Sequence, residues 1–471
     1  MKQPRRECRR LLLAIAFALA ACRSAHEPPN LLLLISVDTL RADHLTAYGS
    51  DLGATPNLDR LASESVVFTA VYAPAALTLL SMSALMTGRY PEEIGVAANV
   101  VSIAEGVPTL ALALREAGWR TRAVVSNWVL RRESGLALGF DVYDDELPQV
   151  EANRPMPERI AVDTTTAALR EIGSCLEEPE ARCFVWVHYQ DPHGPYSPPD
   201  GLRERFLERE RMLPDGRREL PVRDNNLGLS GLPRYQALGA EREVAFYRAG
   251  YDGEVAYLDE QIGRLLAGLA PRARPERTIL VFTADHGEAM GEGDYWFAHG
   301  EYLTDSLVRV PLWLRIPGVS PGRRDDVATL LDLHATLCRL AAAGAPDAAG
   351  YGRDLLAPDA AERASTPYFA TLGASTRSRY GWIEGGYKYI VTLGDGVWQG
   401  QLFKLGNDEI DLAAPAPQLG ASMRERLATF REQMPTPPAV VPAEISESDH
   451  AKLRALGYER SAEPREEPPL H

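Results

Sequence analysis

Residues 31 to 37, LLLLISV, are apolar at almost every position and stop at Asp38. A half-exposed strand would alternate, so this unbroken run predicts a strand buried on both faces of a parallel sheet. CFVWVHY (183 to 189) runs into QDPHGPY in the same way, and RTILVFTA (277 to 284) runs into DHGE. Helical segments lie between these runs. Thr55 and Pro56 stand in cap and first-turn order ahead of one helix, and VAYLDEQIGRLLAGL (255 to 269) has apolar residues at helical spacing. Strands alternating with helices predict an α/β sandwich with a largely parallel sheet. Ligands of such sheets bind at the carboxyl ends of the strands, which here carry aspartates and histidines.

The pattern breaks twice. From 201 to 243 the chain is charged and irregular, which reads as an insertion over the sheet edge, either a lid or a solvated loop. After residue 352 short alternating runs (SRYGWIEGG, YKYIVTL, QGQLFKL) predict a small antiparallel sheet with a helix near 423 to 430 packed on it. Ser446 and Asp449 have the spacing of a capping box for a last helix, and the end, SAEPREEPPLH, reads as a disordered tail. The expected organisation is residues 1 to 22 as an export signal, 23 to 29 as a linker and 30 to 360 as a catalytic unit. A C-terminal α+β unit takes 361 to 440, and a helix and tail take 441 to 471.

The formal net charge of -15 argues against nucleic acid as a partner, since the molecule repels phosphate backbones, though a local basic cleft would still hold a small anion. The first residues show a basic segment, an apolar run from 11 to 19 and small residues before Cys22. That is the form of an export signal, too short to span a bilayer. Leu19-Ala20-Ala21-Cys22 resembles the lipobox of bacterial lipoproteins, which would lipidate Cys22 and tether the protein to a membrane, facing the periplasm or the cell exterior. The alternative is an ordinary signal peptide. Cys175 and Cys183 flank a short helix-to-strand connection that an oxidising compartment would allow to close as a disulfide, and Cys338 reads as a small buried apolar residue.

Carboxylates and imidazoles at strand ends point to a metal. Asp38, Asp285 and His286 would supply two oxygens and one nitrogen and leave a position open for a nucleophile or water. The nitrogen favours Zn²⁺ or Mn²⁺, with Ca²⁺ still open. Thr78 precedes LLSMSALMTG, a predicted helix from about 79 to 87 closed by Gly88. A hydroxyl there lies where free N–H groups favour an anion, but threonine is also a common cap residue, and spacing alone favours the cap. A metal lowering its hydroxyl pKa would make it a nucleophile. His193 in DPHGPYSPP and His299 in WFAHGEY would bind ester oxygens or protonate a leaving group, or else stabilise their turns. Trp128, Tyr196, Tyr295 and Trp296 are candidates to line a pocket or to pack.

ISVDTLRADHLTAYG, TPNLDRLASESVVF, ALMTGRYP, HYQDPHGPYSPP, YDGEVAYLDEQIGRLL, TADHGE and HGEYLTDSLVRVPLWLRIPG occur in the order seen in the sulfatase family of the alkaline phosphatase superfamily. The resemblance spans about residues 30 to 356. It implies a sulfatase-like α/β core, a smaller C-terminal sheet unit and hydrolysis of sulfate or phosphate esters. By the family pattern Asp38, Thr78, Asp285 and His286 look like metal ligands, Thr78 falls at the nucleophile, and His193 and His299 fall at substrate-oxygen or leaving-group positions.

Three departures follow. Formylglycine sulfatases carry C/S-x-P-x-R, where this chain reads Thr78-Leu79-Leu80-Ser81-Met82. Threonine does not give that aldehyde. Thr39 stands where a second acid often follows the first, and Asn127 replaces a substrate-binding lysine. Threonine nucleophiles occur in nucleotide phosphodiesterases and phosphoethanolamine transferases of the superfamily, which this set of residues resembles. The expectation is therefore an exported, metal-dependent esterase acting through Thr78 on a small-molecule, glycan or lipid ester, phosphate or phosphonate sooner than sulfate. Its alternatives are a sulfatase working without formylglycine, a headgroup transferase, and a binding module on a decayed scaffold, for which Met82 speaks. Oligomeric state is not legible.

Overall fold

The three apolar runs become adjacent strands at the centre of one sheet. The computed structural model describes residues 27 to 435, except 100, 101, 105, 152, 179, 344 to 350, 359 to 367, 372 to 376 and 409, together with residue 470. Cys22, the export segment and the helix expected after Ser446 lie outside the described residues. In chain order the main sheet takes β1 (Leu31–Val37), β2 (Val66–Tyr72), β3 (Arg120–Val125), β4 (Val142–Asp144), β5 (Cys183–Tyr189), β6 (Thr278–Ala284), β7 (Arg309–Arg315) and β8 (Gly322–Arg324). They lie in the order β8-β2-β7-β6-β1-β5-β3-β4, with the short pair Ala328–Thr329 beside β2. Only β7 runs antiparallel to its neighbours.

Every residue of β1, β5 and β6 is buried, as unbroken apolar runs require. Register then determines what meets at the edge. Val37 lies opposite Tyr189 on one side and Ala284 on the other, so Asp38, Gln190 and Asp285 leave the sheet at one height. Val125 of β3 lies opposite His188, which brings Asn127 to the same rim.

Helices α1 (Pro56–Ser63), α2 (Thr78–Thr87), α3 (Leu110–Glu116), α4 (Ala161–Cys175), α5 (Glu204–Arg211), α6 (Val244–Leu269) and α7 (Leu330–Leu340) flank the sheet. α6 begins eleven residues before the predicted start, because Gly250 and Gly253 interrupt the apolar period. They permit close approach: a Cβ on Gly253 would come within 2.8 Å of Pro198, and one on Gly250 within 2.5 Å of Arg203. The charged 201 to 243 segment, expected to be irregular, contains α5, which buries Phe206 and packs on α6. Its Tyr235 hydroxyl and Gln236 side chain each donate to the Phe297 carbonyl at 3.2 Å.

Cys175 and Cys183 are joined in a disulfide, and Cys338 is a buried free thiol. The C-terminal sheet runs β9 (Tyr368–Thr371), β10 (Arg379–Glu384), β11 (Tyr387–Gly394) and β12 (Val397–Lys404), antiparallel in chain order, and α8 (Pro417–Gln433) packs on it. β9 was not expected from the sequence.

One buried group gives the fold a pH dependence. His334 of α7 donates from Nδ1 to the Leu85 carbonyl at 2.9 Å, and Gly88, at φ 68°, leaves room for its ring. Burial pushes its pKa down to about 4. An unfolded histidine titrates near pH 6.5, so between about 6.5 and 4 the unfolded state binds the extra proton and stability falls as pH falls. Urea unfolding at pH 7 and pH 4 should show His334→Gln losing about 3 kcal/mol less than the parent over that interval. Equal losses would show that His334 does not carry this dependence.

Candidate active site

Thr78 is the first residue of α2, and its side chain does not cap the helix; the capping residue is Leu77, which offers no side-chain bond. The expectation drawn from spacing alone is thus corrected: Asn99 Oδ1 accepts the Leu79 N–H at 2.9 Å instead. Thr78 Oγ1 turns to the sheet edge, 3.5 Å from Asp38 Oδ1 and 3.3 Å from His286 Nε2. His286 Nε2 in turn lies 3.8 Å from Asp38 Oδ1 and 3.5 Å from Asp285 Oδ2.

These separations test whether the residues suit a metal. Oxygen and nitrogen ligands at zinc bond lengths around a tetrahedral ion are about 3.3 to 3.6 Å apart, and three of these four spacings fall in that range, while His286 Nε2 to Asp38 Oδ1, at 3.8 Å, lies just beyond it. His286 donates from Nδ1 to the Gly287 carbonyl at 2.9 Å, which accepts only, so Nε2 presents a lone pair. Asp285 Oδ1 takes the N–H groups of Thr39 (3.1 Å) and His286 (2.6 Å), while its Oδ2 is buried without a partner. The non-glycine turn that aims Thr39 N–H there has φ 55°, a conformation β-branched residues rarely adopt. Burial and the Asp38 charge push Asp285 well above the carboxylate range. A divalent cation would relieve that repulsion, so the donor set fits one.

Beside Thr78 opens a cleft lined by Asn127, Trp128, Glu151, Arg154, His193 and His299, among others. Asn127 donates to Asp38 Oδ2. His193 donates from Nδ1 to the Gly194 carbonyl at 2.7 Å, and burial lowers its pKa. Burial also takes His299 down to about 4. Of the four aromatics considered, only Trp128 lines the cleft; Tyr196, Tyr295 and Trp296 are buried by packing. Met82 is wholly buried in the core.

Three residues at the site carried no signal in the sequence. Glu288 lies 3.1 Å from His299 Nδ1 and accepts the Tyr196 hydroxyl at 3.0 Å; burial raises it to about 7. Arg154 pairs with Glu151 and stacks 4.4 Å from the Tyr235 ring centroid, bringing a cation to a cleft whose expected lysine is Asn127. His188 sits on β5, wholly buried, 3.8 Å from Asp38 Oδ2, and forms with Asp38 and Asp285 a group of potential metal ligands. A histidine inside an apolar strand run reads as core; only the register of β5 against β1 discloses its neighbour.

Comparison with known proteins agrees with this architecture. A sequence model of the sulfatase family matches residues 29 to 343. The choline-sulfatase of Rhizobium meliloti is 27% identical over 350 residues, covering 66% of this chain and 67% of the relative. Human arylsulfatase A is 29% identical over 373 residues, covering 74% and 70%. Among solved structures, one bound to its substrate D-glucosamine-2-N,6-O-disulfate superposes with a TM-score of 0.70 at 18% identity, covering 87% of this chain and 98% of that one. The phosphonate monoester hydrolase of Agrobacterium radiobacter gives 0.67 at 21% identity, covering 87% and 96%. With the family model covering most of the described core, the chain belongs to the sulfatase family, ester hydrolases of the alkaline phosphatase superfamily.

Proposed function

We propose that this chain is an exported, metal-dependent ester hydrolase with Thr78 as its nucleophile, acting on a phosphate or phosphonate ester in preference to a sulfate ester. The observation that carries the reading is the Thr78 hydroxyl, free of any capping role and within 3.5 Å of Asp38 Oδ1 and His286 Nε2, the latter 3.5 Å from Asp285 Oδ2. A divalent metal held by these four residues would lower the pKa of the Thr78 hydroxyl and offset negative charge on the ester.

The chain's own residues supply the rest. Thr78 Oγ1 forms the bond to phosphorus while the bond to the leaving oxygen breaks, and water then cleaves the Thr78 ester. Thr78 stands at the N-terminus of α2, whose positive dipole end favours an anion there. In its protonated form, which its raised pKa makes accessible near neutral pH, Glu288 would donate to His299 Nδ1 and leave the Nε2 hydrogen for an ester oxygen; His193 and Arg154 line the same cleft. Threonine does not supply the aldehyde hydrate of formylglycine sulfatases, which is why phosphorus esters are favoured although many relatives are sulfatases.

The test is turnover of p-nitrophenyl sulfate, phosphate, a phosphodiester and a phosphonate monoester by protein loaded with Zn²⁺ or Mn²⁺. The expected result is metal-dependent hydrolysis of a phosphorus ester at a rate at least about tenfold above the sulfate, a difference of about 1.4 kcal/mol in barrier. A sulfate preference would establish a sulfatase working without formylglycine. Protein that binds neither metal and turns over nothing would return the reading to a binding module.

A further inference from the structure

His188 has no part in the reaction proposed above, yet its imidazole is wholly buried beside Asp38 and its Nε2 has no hydrogen-bond partner. The side-chain hydrogen bonds behind it favour one placement of the ring hydrogen. Trp186 Nε1, which only donates, gives its hydrogen to Ser36 Oγ at 2.8 Å. Ser36 Oγ lies 2.8 Å from His188 Nδ1. The serine has one hydrogen of its own, and among its bonds only His188 Nδ1 can take it. The arrangement that uses this hydrogen runs the relay from Trp186 to Ser36 to His188 Nδ1 and puts the ring hydrogen on Nε2. His286 is the opposite case, since its Nδ1 faces a carbonyl and its Nε2 presents a lone pair.

Asp38 divides accordingly. Its Oδ1 faces Thr78 and His286; its Oδ2 receives Asn127 Nδ2 and lies 3.8 Å from His188 Nε2. A shift of about 0.8 Å brings that gap into N–H···O range. We propose that His188 is a positioning residue whose Nε2–H holds Asp38 Oδ2, so that Asp38 offers the metal its Oδ1 alone. The role rests on the metal reading above. It gives the chain a second imidazole at the site that orients a ligand without being one, the work outer partners of metal-bound carboxylates do.

Two measurements on the full chain test this. In protein labelled with ¹⁵N-histidine, the His188 signals, identified by their loss in His188→Gln, should report hydrogen on Nε2 with and without zinc. An Nδ1–H ring, or zinc coordination at Nε2, overturns the proposal. Zinc affinity, read by chelator competition, should weaken by roughly 10- to 100-fold in His188→Met and stay within about threefold in His188→Gln, whose amide keeps an N–H toward Asp38. Equal loss in both variants, or none in His188→Met, also overturns it. If His188→Met does not fold, the spectrum and the glutamine variant decide. If the parent binds neither zinc nor manganese, the metal reading itself falls, while the spectrum still shows whether Nε2–H is turned to Asp38.

Discussion

Thr78→Ala should lower turnover of the preferred ester by roughly 10⁴-fold or more at saturating metal, because removing a covalent nucleophile leaves only binding and electrostatic assistance. The substitution leaves the fold alone: the hydroxyl makes no helix cap, and its contacts are with Asp38 and His286. Saturating metal matters, since the variant keeps Asp38, Asp285 and His286 but loses one oxygen. Thr78→Ser keeps an oxygen on the same carbon and should retain measurable turnover. Acid-quenched parent protein, mixed with a slowly hydrolysed ester, should carry a phosphoryl adduct on the peptide containing Thr78, detectable by mass spectrometry and absent from Thr78→Ala. Parent-level turnover in the alanine variant would mean that water attacks directly and that Thr78 serves as a ligand only.

The strand ends were the legible part of the site. Asp38, Asp285 and His286 follow unbroken apolar runs, and a parallel sheet delivers such residues to one edge whatever the connecting segments do. Thr78 was legible as a position but not as a role, because sequence alone does not show whether a hydroxyl at a helix start turns back to its own N–H groups or outward. Glu288 and His188 were hidden for different reasons. Glu288 reads as part of a polar loop, and its service to His299 depends on where the 295 to 299 segment folds back. His188 stands within a strand whose other residues are core, and its meaning lies in a neighbour 150 positions away in sequence at Asp38. The 201 to 243 segment misled because its short helix is mostly charged, burying little beyond Phe206 and Glu210.

Lys388→Met should destabilise the protein by about 3 to 5 kcal/mol, the cost of leaving buried charges without their partner. This lysine is the one charged residue of the YKYIVTL run. The structure buries it completely, with Nζ 2.5 Å from both Asp305 Oδ1 and Asp408 Oδ1. Asp408 also accepts the Asp305 backbone N–H at 2.5 Å, and burial raises its pKa. Without the ammonium the two carboxylates would face each other in a poorly solvated space, and one would have to take up a proton or the segment open. The damage should reach the active site. Asp305 lies six residues beyond His299, and Arg379 of β10 donates to the Glu301 carbonyl between them, so the C-terminal sheet anchors the chain that presents His299. Turnover should therefore fall in Lys388→Met even at temperatures where it remains folded. Neutralising the acids as well, in Lys388→Met/Asp305→Asn/Asp408→Asn, should recover much of the lost stability, because no isolated charge then remains buried. Urea unfolding of the three proteins decides it. A Lys388→Met protein within about 1 kcal/mol of the parent would place these carboxylates in effective contact with water, and the C-terminal sheet would then hold the His299 segment through Arg379 and apolar packing.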